Sequence, residues 1–166
     1  MSTMSVDNLK LGNISTYQAG VVQAALHRSL QKICDDALRP FGISKMQWMI
    51  IGTVSDAGPA GVRLSDLAET VGTTIPYLTT TVNLLESKGY LVRNDNTKDS
   101  RSKLVAVSPT IHHQIEEIEA AVRDGLRKSI YADIDPAEFQ IYMKVMYRLS
   151  ELGKQITTPK PTAHKD

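Results

Sequence analysis

The chain has 166 residues, 42% of them apolar, and its charges balance to a formal +1. That is enough apolar material for a buried core, which excludes wholesale disorder, and too little net charge for nucleic-acid binding through overall basicity, so any such footprint must be local. The single cysteine, Cys34, excludes an intrachain disulfide, and no apolar run nears the roughly 20 residues that span a bilayer.

Residues 1–15 read as a flexible arm. The polar start, Met1–Asn13, lacks the basic-then-apolar order of a signal peptide, so a cytoplasmic protein with no membrane partner is expected. A helix is predicted over Thr16–Leu38, with Val22, Leu26, Leu30, Ile33 and Ala37 at spacings of four and three. Val21, Ala25, Cys34 and Leu38 widen its apolar face enough to cover more than one surface. Arg39-Pro40-Phe41-Gly42 ends it, because the residue before a proline avoids helical geometry. Ser44-Lys45-Met46-Gln47 has the S-x-x-Q form of a capping box and predicts a helix over Lys45–Ala57, with Trp48, Ile51 and Val54 on one face.

After a Gly58–Gly61 turn, the stretch Val62–Val107 carries most of the information. It reads as a short apolar start (Val62–Leu64), a small helix (Ser65–Val71), a turn (Gly72–Thr74), a second helix (Ile75–Lys88) and a two-stranded hairpin. The strands fall near Tyr90–Arg93 and Lys103–Val107, joined by the charged tip Asn94–Ser102. Ser108-Pro109 then opens a long helix through about Tyr131, with Ile111, Ile115, Ile118, Val122, Leu126 and Ile130 as its stripe. Asp135-Pro136-Ala137-Glu138 starts a last helix by an aspartate cap and a proline in the first turn. That helix carries Phe139, Tyr142, Met143, Met146, Leu149 and Leu152.

The expected fold is mainly α with a small β wing: a winged helix-turn-helix with N- and C-terminal dimerisation helices. The expected divisions are an arm (1–15), an N-terminal dimerisation helix (16–40), a winged DNA-binding domain (41–108), C-terminal dimerisation helices (109–156) and a disordered tail (157–166). The flanking helices are too apolar for solvated spacers and add little to a small winged unit, so a second copy of the chain is the expected cover for their stripes.

These pieces resemble the MarR family of bacterial transcriptional regulators, over roughly Thr16 to Ile156 by element order. Asp99-Ser100-Arg101-Ser102-Lys103-Leu104-Val105 fits that family's D-x-R-x-x-x-V wing pattern, just after Gly89-Tyr90-Leu91-Val92-Arg93. Leu64-Ser65-Asp66-Leu67-Ala68 is similar to its L-S-x-L-A helix, and Thr79–Gly89 to its recognition helix and following turn. Ile43-Ser44 through Gln47-Trp48 is similar to the family's helix preceding the reader unit. The resemblance implies a homodimer that binds a palindromic double-stranded DNA operator, as a repressor more than an activator, and is released by a small, often aromatic, ligand.

A helical wheel sorts the second helix of the reader. Ile75, Leu78, Val82 and Leu85 fall on the expected core side; Pro76, Thr80, Asn83, Leu84 and Ser87 fall opposite, with Tyr77 and Thr79 at the flanks. Residues near the start of such a helix meet base edges, where threonine offers a hydroxyl and a methyl, and asparagine can pair with adenine. Pro76, Tyr77, Thr79, Thr80 and Asn83 are therefore the candidate readers; a merely solvated polar run Thr79-Thr80-Thr81 is the plainer alternative. Relatives often carry arginine where Thr80 or Leu84 stands, whereas Ile75–Ser87 holds no basic residue, so affinity is expected either to be reduced or to shift onto the wing and flanking elements. There Arg93, Lys98, Arg101 and Lys103 supply positive charge, with Arg101 the candidate for a narrow minor groove and Asp99 its holder. An ordinary charged hairpin tip would look the same. Ser65 is a candidate phosphate contact or an ordinary cap.

A ligand pocket is expected where the dimerising helices meet the reader, with Tyr17, His27, Trp48 and Met49 as lining, Met46 as adaptable filler and Arg28 as a partner for a ligand carboxylate. Core packing is the plainer role for Trp48. His27, His112, His113 and His164 have no metal-ligand spacing, and Cys34 on an apolar face reads as inert, with oxidant sensing, which the resemblance implies for some relatives, as the alternative. No pattern for nucleophilic catalysis, phosphate cradling or paired-acid chemistry stands out, so neither an enzyme nor a cofactor is expected. The competing class is a dimeric winged-helix protein-interaction module without specific DNA binding.

Overall fold

The computed structural model of the chain describes residues 15–96 and 103–157, with side chains to 154. It divides into two compact units, Met1–Leu126 and Arg127–Asp166. Residues 1–14 of the expected arm, the wing tip from 97 to 102 and the tail from 158 lie outside the described residues; Ser15, expected in the arm, caps α1, and Thr157, expected in the tail, ends α6.

In the first unit, α1 (Thr16–Leu38) is followed by a 3-10 turn (Arg39–Phe41), α2 (Lys45–Asp56), β1 (Val62–Arg63), α3 (Leu64–Val71), α4 (Ile75–Ser87), β2 (Leu91–Asp95), β3 (Lys103–Val107), a second 3-10 turn (Pro109–Ile111) and most of α5 (His112–Ser129). Two capping boxes set the entries of α1 and α2. At α2 the Ser44 hydroxyl accepts from the Gln47 amide at 3.2 Å while the Gln47 side chain accepts from the Ser44 amide at 3.0 Å. Ser15 and Gln18 repeat the arrangement at α1, an S-x-x-Q that the sequence reading passed over.

The core gathers the inward stripes of every element in this unit. Leu38, Ile50, Val54, Leu67, Leu78, Val82, Leu85, Val105 and Val122 are all essentially inaccessible and form one cluster. A helix or sheet with one apolar face must find a second layer to cover it, and here the helices and a small sheet cover one another. At Gly125 α5 passes beside α1, where even a Cβ would make only ordinary van der Waals contact, 3.4 Å from Ile33 Cγ2 and 3.7 Å from Ala37 Cβ.

The sheet differs from the expected hairpin. Val62 and Arg63 form a third strand, giving the order β1-β3-β2, antiparallel throughout, with Val62 opposite Val105 and Leu91 opposite Val107. Two residues carry no periodicity, so only the partner strand reveals them. Gly61 makes the pairing possible: its φ is +77°, and a Cβ there would sit 2.6 Å from the Val105 carbonyl oxygen. β2 runs two residues beyond the expected Arg93, because Asn94 and Asp95 pair with Leu104 and Lys103. The helix expected from Ser108-Pro109 begins as the 3-10 turn, and α5 proper starts at His112 and stops at Ser129, short of Tyr131.

The second unit holds α6 (Pro136–Thr157), begun by Asp135, whose carboxylate accepts from the Ala137 amide at 2.7 Å while Glu138 accepts from the Asp135 amide at 3.3 Å. Phe139 packs edge-on to Tyr131 at 4.8 Å between ring centroids. Beyond these rings α6 is apolar and uncovered: Ile141, Met143, Val145, Met146, Tyr147, Leu149 and Leu152 are all exposed, Leu149 to 58%. The expected stripe omitted Ile141, Val145 and Tyr147, which make the helix apolar around most of its circumference. Among the described residues no helix is long and apolar enough to cross a membrane.

Candidate nucleic-acid interface

The turn between α3 and α4 is built from a glycine and two threonines. Gly72, at φ +68°, ends α3 in the left-handed conformation, and the Thr73 amide returns to the Ala68 carbonyl at 3.0 Å. Thr74 then caps α4, accepting from the Tyr77 amide at 3.4 Å, and Pro76 occupies the first turn, where its missing N–H costs nothing. This short connection fixes α4 on α3 with one long face outward.

The outward face holds Pro76, Tyr77, Thr80, Asn83, Leu84 and Ser87, all exposed, with Thr79 half-buried at its flank. Leu78, Val82 and Leu85 point to the core as expected. Two positions differ from the wheel. Ile75, placed on the core side, is 52% exposed, because the first turn of α4 extends past the edge of the cluster: a wheel gives direction, not reach. Thr81, read with its neighbours as a solvated position, is only 7% exposed.

The three threonines share one hydrogen-bonding habit. Thr79, Thr80 and Thr81 hydroxyls donate to the carbonyls of Ile75, Pro76 and Tyr77, at 2.8, 3.2 and 3.0 Å. A hydroxyl committed to its own helix has no proton left for a base, so what Thr80 offers outward is a methyl and acceptor lone pairs. The exposed threonine is therefore suited to thymine methyls and groove shape more than to donor readout, which falls to Tyr77 and to the Asn83 amide nitrogen.

The wing's cations are largely spoken for. Arg93 on β2 is ion-paired through Nη1 with Glu86 of α4, and its Nη2 donates to Asn83 Oδ1 at 2.7 Å. Its side chain is 28% exposed. Arg93 thus sits at the seam between reader helix and wing, its charge met by Glu86, and it orients Asn83 with the carbonyl oxygen inward. Lys103 is paired with Asp95, its direct cross-strand neighbour. Lys98, Asp99 and Arg101 lie outside the described residues.

Ser65 is exposed in the first turn of α3, but it is not the cap: Arg63 holds that position without a side-chain bond, and the Ser65 hydroxyl donates to Asp66 at 3.0 Å. Sequence reasoning missed Arg63, an exposed cation at the α3 entry with no ion pair among the described residues, and it missed Glu86, whose role appears only when β2 is laid beside α4.

The expected ligand residues separate. Trp48 and Met49 line a cleft of about 520 Å³ between α2, α3 and α5, where the Trp48 indole N–H donates to Glu119 Oε2 at 3.3 Å. Trp48 also packs against the core, so its structural and lining roles coexist. Met46 is half-buried against the core without reaching that cleft. Tyr17, His27 and Arg28 are exposed on α1, and Arg28 borders a separate shallow groove with Gln31, Lys32, Asp35, Asp36 and Arg39. Among the described residues no three His, Cys, Asp or Glu side chains converge as metal ligands. Cys34 is 5% exposed, and burial pushes its thiol above the ordinary value, leaving little thiolate at neutral pH.

A helix held across a short turn on a second helix, followed by an antiparallel wing, defines a winged helix-turn-helix. Residues 41–102 match the MarR family model. AbsC, a MarR family transcriptional regulator from Streptomyces coelicolor, superposes with a TM-score of 0.72 at 16% identity, over 86% of this chain and 97% of AbsC. The transcriptional regulator PA3341 gives 0.69 at 26% identity, over 82% and 98%. CouR from Rhodococcus jostii RHA1, solved bound to p-coumaroyl-CoA, gives 0.66 at 19% identity, over 86% and 93%. The chain shares the winged-helix fold of these MarR family transcriptional regulators, and its central residues 41–102 carry the match to the family model.

Proposed function

We propose that this protein is a cytoplasmic, homodimeric repressor that binds a palindromic operator and leaves it when a small ligand binds. In this reading residues 41–108 bind DNA and the helices of 16–40 and 109–156 dimerise. Operator contacts come from Pro76, Tyr77, Thr79, Thr80 and Asn83 on α4, from Ser65 at the α3 entry and from Arg101, Lys98 and Lys103 on the wing, with Asp99 holding Arg101.

The observation that carries the dimer is the uncovered apolar surface of α6 and of the first half of α1, where Tyr17, Val21 and Val22 are exposed. A helix apolar on most sides belongs inside an assembly, and a second copy is the simplest cover. Two-fold symmetry then presents two α4 helices to half-sites about one helical turn apart, which makes the operator a palindrome. The effector occupies the cleft walled by Trp48 and Met49; its volume lies in the range of small-molecule sites, and CouR, a relative in fold, was solved with a small-molecule thioester. The ligand favours a spacing of the two reader helices that no longer fits the half-sites.

One observation favours the second reading, a protein-interaction module: the described cations of the wing, Arg93 and Lys103, are both paired within the chain. Fluorescence anisotropy with the DNA upstream of the coding sequence, at two salt concentrations, separates the two. Operator preference over random duplex supports the regulator; equal binding to both, or none, moves the assignment to the interaction module.

A further inference from the structure

The cleft between α2, α3 and α5 has a definite electrostatic sign. Its lining contains two carboxylates, Asp56 and Glu119, and no lysine, arginine or histidine. Asp56 and Glu119 are both exposed at the cleft mouth; among the described residues Asp56 has no ion pair and Glu119 accepts the Trp48 indole N–H. Two helices also end there. Thr53, Ser55 and Asp56 belong to the last turn of α2, and Thr70 and Val71 to the last turn of α3, and neither helix carries a basic residue in that turn. Helix C-termini present the negative end of the backbone dipole, so both reinforce the carboxylates. The remaining walls are apolar or aromatic: Trp48, Met49, Ile51, Val71, Ile115 and Ile118.

A ligand carboxylate placed in this cleft would add a further negative charge to a site with no counter-charge, at the cost of its own desolvation. A cation meets two carboxylates, two helix ends and an indole, the aromatic side chain that holds cations best. We propose that the effector of this protein is a small organic cation: an aromatic or apolar body bearing an amine or quaternary ammonium, its charge toward Asp56 and Glu119 and its body against Trp48 and Ile115. This deepens the effector reading above and rests on it. It also reassigns Arg28, expected to meet a ligand carboxylate, since Arg28 is absent from this cleft.

Trp48 is the only tryptophan in the chain, so its fluorescence reports on the site directly. The full-length protein is titrated with three probes of one shape: 4-butylbenzyl-trimethylammonium, 4-butylbenzyl alcohol and 4-butylphenylacetate. The cation should quench or shift Trp48 emission at a concentration at least about tenfold below the anion, the ratio expected from one screened charge pair. Asp56→Asn and Glu119→Gln, the second able to keep the indole hydrogen bond, should each reduce that preference while leaving the affinity for the alcohol unchanged. Equal binding of all three, or a preference for the anion, overturns the charge assignment and leaves the cleft as a ligand site. Binding of none by wild-type protein with an intact helical circular dichroism spectrum overturns the cleft reading as well.

Discussion

The inner side of α4 and the outer side of α6 are made of similar residues and end in opposite places. Leu78, Val82 and Leu85 recur at spacings of four and three and are fully buried; Ile141, Val145, Leu149 and Leu152 recur at spacings of four, four and three and are exposed. Helical periodicity creates a stripe, but it does not say what covers it. In the winged unit the cover comes from the same chain, through α2, α3, α5 and the sheet. The apolar residues of α6 are exposed along most of its length. The first region is a finished core; the second is a surface whose chemistry still asks for a partner.

Removing side chains should affect the two regions differently. Leu78→Ala opens a cavity in a closed cluster and should cost about 2–5 kcal/mol of unfolding free energy, read by urea denaturation. The paired change Val145→Glu with Leu149→Glu removes no buried contact from the winged unit. It should instead weaken self-association by at least about a hundredfold, near 2.7 kcal/mol, by sedimentation across a concentration series. A double variant that stays dimeric would show that α6 is not the dimer surface and would break the comparison.

The same division explains what could be read without coordinates. Local signals were sufficient where a few adjacent residues decide the geometry: Ser44 with Gln47 at the α2 entry, Gly72 at the α3–α4 turn, Asp135-Pro136 before α6. They failed where the deciding partner is distant in sequence. β1 is two residues long and exists because Val105 and Leu104 lie opposite it. Ile75 has the right angle for the core but stands beyond its edge. Arg93 reads as a wing cation until Glu86, seven residues earlier and on another element, is placed against it. The carboxylates of the cleft, Asp56 and Glu119, come from α2 and α5, and only the fold sets them around one space.

The proposed reader face can be tested by substitution in the same way. Arg101→Ala should weaken operator binding by about 1–3 kcal/mol if the side chain makes a specific contact, and anisotropy on the operator measures it. A loss confined to the salt slope, by about one, would reduce Arg101 to a phosphate contact. Unchanged binding across the salt series would remove it from the interface.

Glu86→Gln is the finer test, because it alters no outward residue. The carboxylate of Glu86 meets the Arg93 guanidinium at the seam of α4 and β2. Replacing it with the neutral amide leaves the arginine charge unbalanced beside the operator. If Arg93 then reaches a phosphate, one more counterion is released on binding, so the log–log salt slope should steepen by about 0.9, or about threefold in affinity across a fourfold change in salt. If Asn83 reads a base, preference at that position should relax as well, since Arg93 no longer holds Oδ1 from a fixed place. The two effects separate two roles for Glu86. A steeper slope with unchanged base preference would make it a charge mask alone, and a relaxed preference with an unchanged slope would make it a positioning residue whose purpose is to keep the reader helix and the wing in register.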